Sequence, residues 1–287
     1  MKPAPVTVGI PTFGRGLRVV ETLTRLTQCD PPPAEIIVHA DRSDGEIERE
    51  LAVRFPTVRL LSSLENVGPG GGRHRCLLAC TQPFFVSFDD DSWPLDTDFF
   101  VQVTTLFESH PQAAVLAASI YFSGEVVQER ASDVKTVSDY SGCGYAVRAD
   151  AYLQTAGHID RSCPYGFEEV DLAMQLHALE WTILQCRSLR VFHDTQLSHH
   201  ARADIVAGTV QNVALRAYLR YPASLWPRGV LQLCNVVWFM LKMGRLAGLG
   251  RGLCGIPVDL RRHASRRRQL PADKIRSYLN ARTRFTS

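Results

Sequence analysis

The segment of this 287-residue chain that could do the most chemistry is Phe84–Pro94, FFVSFDDDSWP, where five strand-like residues deliver Asp89, Asp90 and Asp91 in succession. Adjacent carboxylates raise one another's pKa values unless a cation compensates. Hard oxygen ligands of this kind suit Mg²⁺ or Mn²⁺, which keeps waters and bridges a substrate's phosphates. A solvated acidic turn with Asp96 as a helix N-cap would have the same composition. A second candidate is CPYGFEEVDLAMQ, residues 163–175, which places Glu168, Glu169 and Asp171 ahead of a helical apolar face of Leu172, Leu176 and Leu179. Acids are ordinary in a first helical turn, where the macrodipole favours them by up to ~1 kcal/mol. In a cleft, one of them could act as the general base for an incoming hydroxyl.

Two further segments offer weaker signals. In NVGPGGGRHR, residues 66–75, the glycines permit close backbone approach and the following helix start could present N–H groups to a phosphate. Neither GxxxxGK[ST] nor GxGxxG is present. His193 follows the apolar run Leu189–Phe192, with His199 and His200 nearby. A histidine at that place is either a ligand or a packed side chain.

The elements that must position these residues are legible as an alternation. Val6–Pro11 reads as a strand, Leu17, Val20, Leu23 and Leu26 as a helix, and Ile36–Ala40 as a strand ending at Asp41. Ile47, Leu51 and Phe55 mark a second helix, and Val58–Leu61 a third strand. The Gly-rich turn Asn66–Gly72 then leads into a helix through Leu77 and Leu78, followed by the strand Phe84–Phe88. Such alternation predicts an α/β fold with a mostly parallel sheet, whose ligand sits beyond the carboxyl ends of the strands. Thr12 and Arg15, Asp41 and Asp44, and Asp89–Asp91 all fall at such ends. Further on, helices are expected at about 98–108, 149–156 and 168–180, with strands near 113–122, 143–147 and 189–192. Beyond about residue 205 the chain turns helical and basic.

The charge is divided sharply. Residues 1–212 carry 17 basic and 27 acidic side chains, net −10, whereas residues 213–287 carry 15 and 2, net +13. An acidic body suits metal ions or cationic groups, and a basic tail suits phosphate or anionic lipid. Eight cysteines without a CxxC pair argue against a zinc ribbon or a disulfide framework. The opening MKPAPVTVGIPTFGR does not read as a signal peptide, so a cytoplasmic protein is expected. The longest apolar stretch, Gly229–Leu241, falls short of the ~20 residues of a membrane span.

The succession VGIPTFGR, Asp41-Arg-Ser-Asp-Gly, ENVGPGGGRHR, FDDDSWP, GFEEVDL and a lone strand-end histidine resembles the family 2 glycosyltransferases of GT-A fold, over about residues 5–200. The resemblance implies a Rossmann-like GT-A catalytic domain at 1–205, followed by a basic helical extension at 206–287. It implies an inverting, metal-dependent transfer of a sugar from a nucleotide-diphosphate donor to a hydroxyl of a glycan or lipid-linked acceptor, with Mg²⁺ or Mn²⁺ as cofactor. By position, Pro11, Thr12 and Arg15 would approach the donor nucleotide and Asp41 its base or ribose. Asn66, Gly68 and Arg73 match the family's nucleotide-side Asn-x-Gly and downstream Arg. Asp89 and Asp91 match the ends of the DxD motif, with Asp91 the direct metal ligand and Asp90 on the donor; His193 matches a histidine that completes the metal or diphosphate site. Glu169 stands at the catalytic base, with Glu168 beside it and Asp171 as a further candidate. Three departures stand out: His74 where Asn is common, Glu169 where Asp is common, and Gln175 where Arg is common.

Other functions would leave other traces. A sugar-phosphate nucleotidyltransferase would also use strand-end carboxylates and a Gly-rich loop, but with Lys or Arg in that loop and no Glu-Glu-x-Asp element. A non-catalytic anionic-polymer-binding protein would account for the Arg-rich tail and not for the acidic body, and no RNA-binding aromatic pattern is present, so no nucleic-acid partner is expected. In the tail, Trp226, Val230, Leu233, Val237, Trp238, Phe239, Met240 and Leu241 precede Arg245, Arg251, Arg261, Arg262 and Arg266–Arg268. That pattern fits either peripheral association with an anionic inner membrane face or a helical cap with a solvated Arg face. Trp93 is read as a packed residue rather than a stacking platform, and the family resemblance implies that Ser141–Gly144 forms the floor of a sugar pocket.

Overall fold

The computed structural model describes residues 2–14, 18–43, 45–161, 167–195 and 202–285. The chain divides into two units: residues 1–162 with 181–196, and residues 163–180 with 197–287.

The first unit is built on one sheet. β1 (Ala4–Phe13), β2 (Pro33–Asp41), β3 (Arg59–Ser63) and β4 (Phe84–Ser87) pair in parallel, in the order β3-β2-β1-β4. The apolar runs of β1, β2 and β4 are buried, as in a parallel sheet covered by helices, with Val6, Val8, Ile10, Val38 and Val86 in the core, whereas the edge strand β3 is half-buried to exposed. α1 (Arg18–Leu26), α2 (Glu46–Arg54) and α3 (Gly68–Ala79) are the crossovers. The parallel pattern does not extend through the whole sheet. β8 (Tyr145–Arg148) runs antiparallel between β4 and β6 (Ala113–Phe122), and β6 pairs in parallel with β9 (Thr182–His193). β5 (Ser92–Pro94) and β7 (Val134–Val137) add antiparallel partners to β9. The sheet is therefore mixed, and β5 draws the chain just after Asp91 back alongside the end of β9, pairing Ser92 with His193. α4 (Phe99–Ser109) and the short α5 (Ala149–Leu153) complete the unit.

The expected Gly-rich turn is instead the first turns of α3. Gly70, Gly71 and Gly72 are all buried there. A Cβ on Gly72 would lie 2.9 Å from Pro11 Cβ and 3.1 Å from His39 Nδ1, so the missing side chains let the helix lie close on β1 and β2. Trp93 is packed, as the sequence suggested: its ring lies 5.2 Å from that of Phe192 and carries the Arg25 guanidinium 5.5 Å away. Asp96 pairs with Arg190 through Nε and Nη2 at 2.9 and 2.5 Å, and the residue preceding α4 is Asp98.

The second unit is helical: α6 (Glu168–Ala178), α7 (Ala203–Arg220), α8 (Trp226–Lys242), α9 (Leu249–Arg262) and α10 (Ala272–Phe285). One face of α8, with Leu233, Val236, Val237 and Met240, packs with Val206 and Val210 of α7 and Leu249 and Ile256 of α9. Gly252 lets α9 approach α7 closely, since a Cβ there would come within 2.9 Å of Ala207 backbone atoms. Among the described residues, no helix is long and apolar enough to cross a membrane.

Candidate active site

The strand-end carboxylates of the first unit are each held by a different partner. Asp90 is buried and accepts from Thr12 Oγ1 at 2.7 Å, while its carbonyl accepts from Thr22 Oγ1 at 3.0 Å. Asp89 is half-buried and accepts from Nη2 of the buried Arg73, whose Nε donates to Ser87 Oγ at 2.9 Å. The Asp89 N–H donates to Ser92 Oγ at 2.8 Å, so the turn between β4 and β5 is fixed from both sides. Asp91 faces the end of β9: its Oδ1 lies 3.0 Å from His193 Nε2, its Oδ2 3.6 Å from Arg18 Nη1, and its carbonyl accepts from the Asp194 N–H at 2.8 Å.

His193 links the group. Its Nε2 is also 3.8 Å from Asp89 Oδ2, and its Nδ1 is 3.3 Å from Cys143 Sγ. Burial alone would lower the His193 pKa, but the hydrogen bond with Asp91, followed by Cys143 and the charge of Asp89, outweighs it and lifts the value to about 10. The cluster thus favours a positive charge at this point. Ligand atoms of Asp89, Cys143 and His193 lie within 4.8 Å of one another; the Asp89 and Asp91 carboxylates suit a hard cation such as Mn²⁺, the imidazole suits a divalent transition metal, and the Cys143 thiol is a softer neighbour that Mn²⁺ does not favour.

A second group forms where β2 ends. Asp41 Oδ2 accepts from the backbone N–H of Val67 at 3.1 Å and of Gly68 at 3.0 Å, and Gly68 N–H also donates to Asn66 Oδ1 at 3.0 Å. Gly68 adopts φ 73°, which a side chain would resist. Asp41 Oδ1 is buried with no hydrogen-bond partner, and His39 Nδ1 stands 3.7 Å away. Burial raises the Asp41 pKa against the lowering by the Gly68 and Val67 amides. Burial, reinforced by Arg75, lowers the His39 pKa to about 4, so His39 is neutral, and its Nε2 shares a hydrogen bond with Ser63 Oγ at 2.9 Å. A buried acceptor oxygen without a donor is costly in a folded chain and suits a ligand N–H or hydroxyl.

In the second unit, Glu168, Glu169 and Asp171 form the first turn of α6, with Glu168 buried and Glu169 half-buried. Asp171 is buried and differs from both. Arg220 Nε and Nη2 donate to its Oδ1 and Oδ2, each at 2.7 Å, and Gln175 Nε2 donates to Oδ2 at 2.9 Å. This bidentate pair ties α6 to α7, so a guanidinium from the C-terminal helices serves the helix in which Gln175 stands where the resemblance leads one to expect Arg.

The structure therefore gathers Asp89, Asp91 and His193 into one cluster, joins Thr12 to Asp90, braces Asp89 with Arg73, and assembles Asp41, Asn66 and Gly68. Pro11 lies on β1 beside His39. Arg15 and Asp44, with His199 and His200, lie outside the described residues. Arg18, Ser92, Cys143 and Arg220 were not singled out from the sequence. Cys143 lay within the Ser141–Gly144 segment, and its place beside His193 follows from Gly144, whose φ of 68° and missing side chain let the backbone just before β8 come close to Val191 of β9.

Comparison with known proteins gives the context. The sequence profile of glycosyl transferase family 2 matches residues 7–167. No curated protein sequence matches. Among solved structures, mannosyltransferase PcManGT from Pyrobaculum calidifontis, in complex with GDP-Man and Mn²⁺, is 16% identical with a TM-score of 0.57, covering 99% of this chain and 88% of its own. S. aureus TarS 1-349 in complex with UDP-GlcNAc is 14% identical with a TM-score of 0.56, covering 98% and 91%. GalNAc-T7 with UDP, GalNAc and Mn²⁺ is 10% identical with a TM-score of 0.58 over 73% of this chain, which spans 47% of that protein. At these identities the likeness is one of fold.

Proposed function

The chain belongs to glycosyl transferase family 2, and from that premise we propose that it transfers a sugar from a nucleoside-diphosphate donor to a hydroxyl acceptor with inversion at the anomeric carbon. The observation that carries this reading is the Asp89–Asp91–His193 cluster at the strand ends, in the same unit as the buried acceptor oxygen of Asp41. The solved relatives support the donor class, since they were obtained with GDP-Man, UDP-GlcNAc or UDP.

In this proposal Asp91, Asp89 and His193 hold Mg²⁺ or Mn²⁺, which supplies charge neutralisation for the departing diphosphate. Asp41 accepts a hydrogen bond from the nucleotide base or ribose, held in place by the backbone N–H groups of Val67 and Gly68. Arg73 orients Asp89 from behind. Thr12 and Asp90 fix the β1 loop against the β4 end, and Pro11 and Arg15 complete the donor side. Glu169 takes the proton of the acceptor hydroxyl as its oxygen bonds to the anomeric carbon and the bond to the diphosphate breaks. Glu168 supports that carboxylate, and Asp171 acts as the anchor of α6, because both its oxygens already accept from Arg220. Residues 1–205 act as the catalytic region in this reading, and 206–287 as the extension.

We place the acceptor, a glycan or lipid-linked hydroxyl, at the inner face of the membrane of a cytoplasmic enzyme. The face of α8 opposite its packed side is exposed at Val230, Leu231, Trp238, Phe239 and Leu241, and continues through Met243 and Leu246. Lys242, Arg245 and Arg251 lie among these residues, and no acidic residue occurs between Asp204 and Asp259. An apolar face with a cationic surround suits an anionic bilayer. Flotation with anionic vesicles is expected for the full chain and lost in W238E/F239E; binding that the variant retains would refute the attachment.

Release of nucleoside diphosphate from a panel of sugar nucleotides, with Mn²⁺ or with chelator, tests the main reading. Turnover of one donor with Mn²⁺ alone is expected. Release of pyrophosphate from a nucleoside triphosphate and sugar phosphate would identify a nucleotidyltransferase instead.

A further inference from the structure

The described cysteines differ in what their thiols face. Cys29, Cys76, Cys80 and Cys186 turn Sγ to backbone carbonyls, as packed thiols do. Cys143 is buried but turns to side chains: its Sγ lies 3.3 Å from His193 Nδ1 and 3.6 Å from Ser141 Oγ. The backbone beside it is fixed at the end of β4, because the Gly144 N–H donates to the Ser87 carbonyl at 2.8 Å and the Gly144 carbonyl accepts from the Ala118 N–H at 3.2 Å. The sheet thus holds this thiol next to the turn that carries Asp89.

The two nitrogens of the His193 ring open on different neighbours. Nε2 faces Asp91 at 3.0 Å and Asp89 at 3.8 Å, whereas Nδ1 faces Cys143. Zinc–sulfur and zinc–nitrogen bonds of about 2.3 and 2.0 Å, at a tetrahedral angle, put the two ligand atoms about 3.5 Å apart. The 3.3 Å between Sγ and Nδ1 is close to that span, and an Asp89 oxygen completes a set whose atoms lie within 4.8 Å of one another. Asp91, on the far nitrogen, then orients the ring as carboxylates do behind metal-bound imidazoles. A thiolate is a soft ligand that favours Zn²⁺ and is a poor partner for Mn²⁺ or Mg²⁺.

We infer that the strand-end cluster is also a Zn²⁺ site, with Cys143 Sγ, His193 Nδ1 and Asp89 as ligands. Zn²⁺ there excludes the harder ion held through Asp91, since both need Asp89 and the same imidazole, and so it inhibits the metal-dependent transfer. Ligation releases the thiol proton to solvent. The inference rests on the reading of this cluster as a metal site, and its test does not use sugar transfer.

The test uses the full chain stripped of metal, with Co²⁺ followed by absorption, Zn²⁺ by competition with a chromophoric chelator, and Mn²⁺ by calorimetry with a nucleoside diphosphate present. Co²⁺, standing in for Zn²⁺, is expected to give a sulfur-to-cobalt charge-transfer band. The band should persist in C234S/C254S, whose altered thiols are exposed, and vanish in C143S. C143S is expected to weaken Zn²⁺ binding by about tenfold or more while changing Mn²⁺ binding by less than about twofold. Zn²⁺ should also expel bound Mn²⁺ from the unaltered chain, seen as free Mn²⁺ by electron paramagnetic resonance. H193Q should lose the cobalt band too, and carries the test should C143S not fold. A band absent from the unaltered chain or retained in both C143S and H193Q, or Zn²⁺ affinity equal in C143S, would overturn the thiolate site. Mn²⁺ binding without a thiolate band would do so while leaving the sugar-transfer reading in place; a thiolate band in a chain that binds no Mn²⁺ would do the reverse.

Discussion

Two groups of carboxylates in this protein are neutralised in different ways. Asp171 in the helical unit is buried against Arg220, with both oxygens occupied by a guanidinium that stays charged at any working pH. Asp91 and Asp89 in the sheet unit are balanced by an imidazole, whose proton a divalent ion can displace, and by Arg73 and Arg18 at the margin. The first arrangement fixes structure; the second leaves carboxylate oxygens that a cation can share. The difference lies in the partner, since both groups are short-chain carboxylates at the ends of elements.

Several substitutions separate these roles. The largest effect on turnover is expected for E169Q, a fall of about 10²–10⁴-fold in kcat with donor affinity and melting temperature preserved. Near-normal turnover would remove Glu169 from the base role. R220M should cost about 3–5 kcal/mol of stability in denaturant titration, because it leaves the Asp171 carboxylate buried without its cation. The double variant R220M/D171L should recover most of that loss; if it does not, the pair is more than an anchor. For the strand-end group, H193Q is expected to weaken Mn²⁺ binding by about 10–100-fold and to lower the stability of the metal-free chain at neutral pH, because it removes the positive charge held by Asp91 and Asp89. Unchanged Mn²⁺ binding in H193Q would remove His193 from the ligand set.

The smallest effect concerns pH. His39 has a pKa of about 4 in the folded chain against 6.5 for a free imidazole, through burial and the Arg75 charge, and burial lowers His158 to about 3. Because the unfolded state binds these protons more tightly, their contribution to stability is complete above about pH 6.5 and is lost as pH falls towards 4. Thermal unfolding between pH 7 and 4 should show that decline, and H39Q should flatten it. A decline of equal slope in H39Q would assign it to other groups.

The sequence carried the alternation of β1 to β4 with α1 to α3 and the placement of acids at the strand ends, because both rest on local periodicity and on where apolar runs stop. It did not carry β5 and β7, of three and four residues, which exist only through pairing with β9. The run Thr182–Ser188 was likewise missed, as Gln185 and Arg187 interrupt its apolar pattern. The antiparallel half of the sheet depends on those pairings, and so does the meeting of Asp91 with His193, 102 residues apart. The glycines of α3 read locally as a turn, and their use in packing against Pro11 and His39 is a tertiary property. Arg220 was one basic residue among many in a tail; its partnership with Asp171, 49 residues away, has no local signature.

The account turns on whether the strand-end carboxylates hold a cation. Calorimetric titration of Mn²⁺ into the full chain, in the presence of a nucleoside diphosphate, measures this directly. One equivalent is expected to bind, with binding lost in D91N and retained in E169Q and R220M. Absence of binding, or binding that D91N leaves intact, would contradict it.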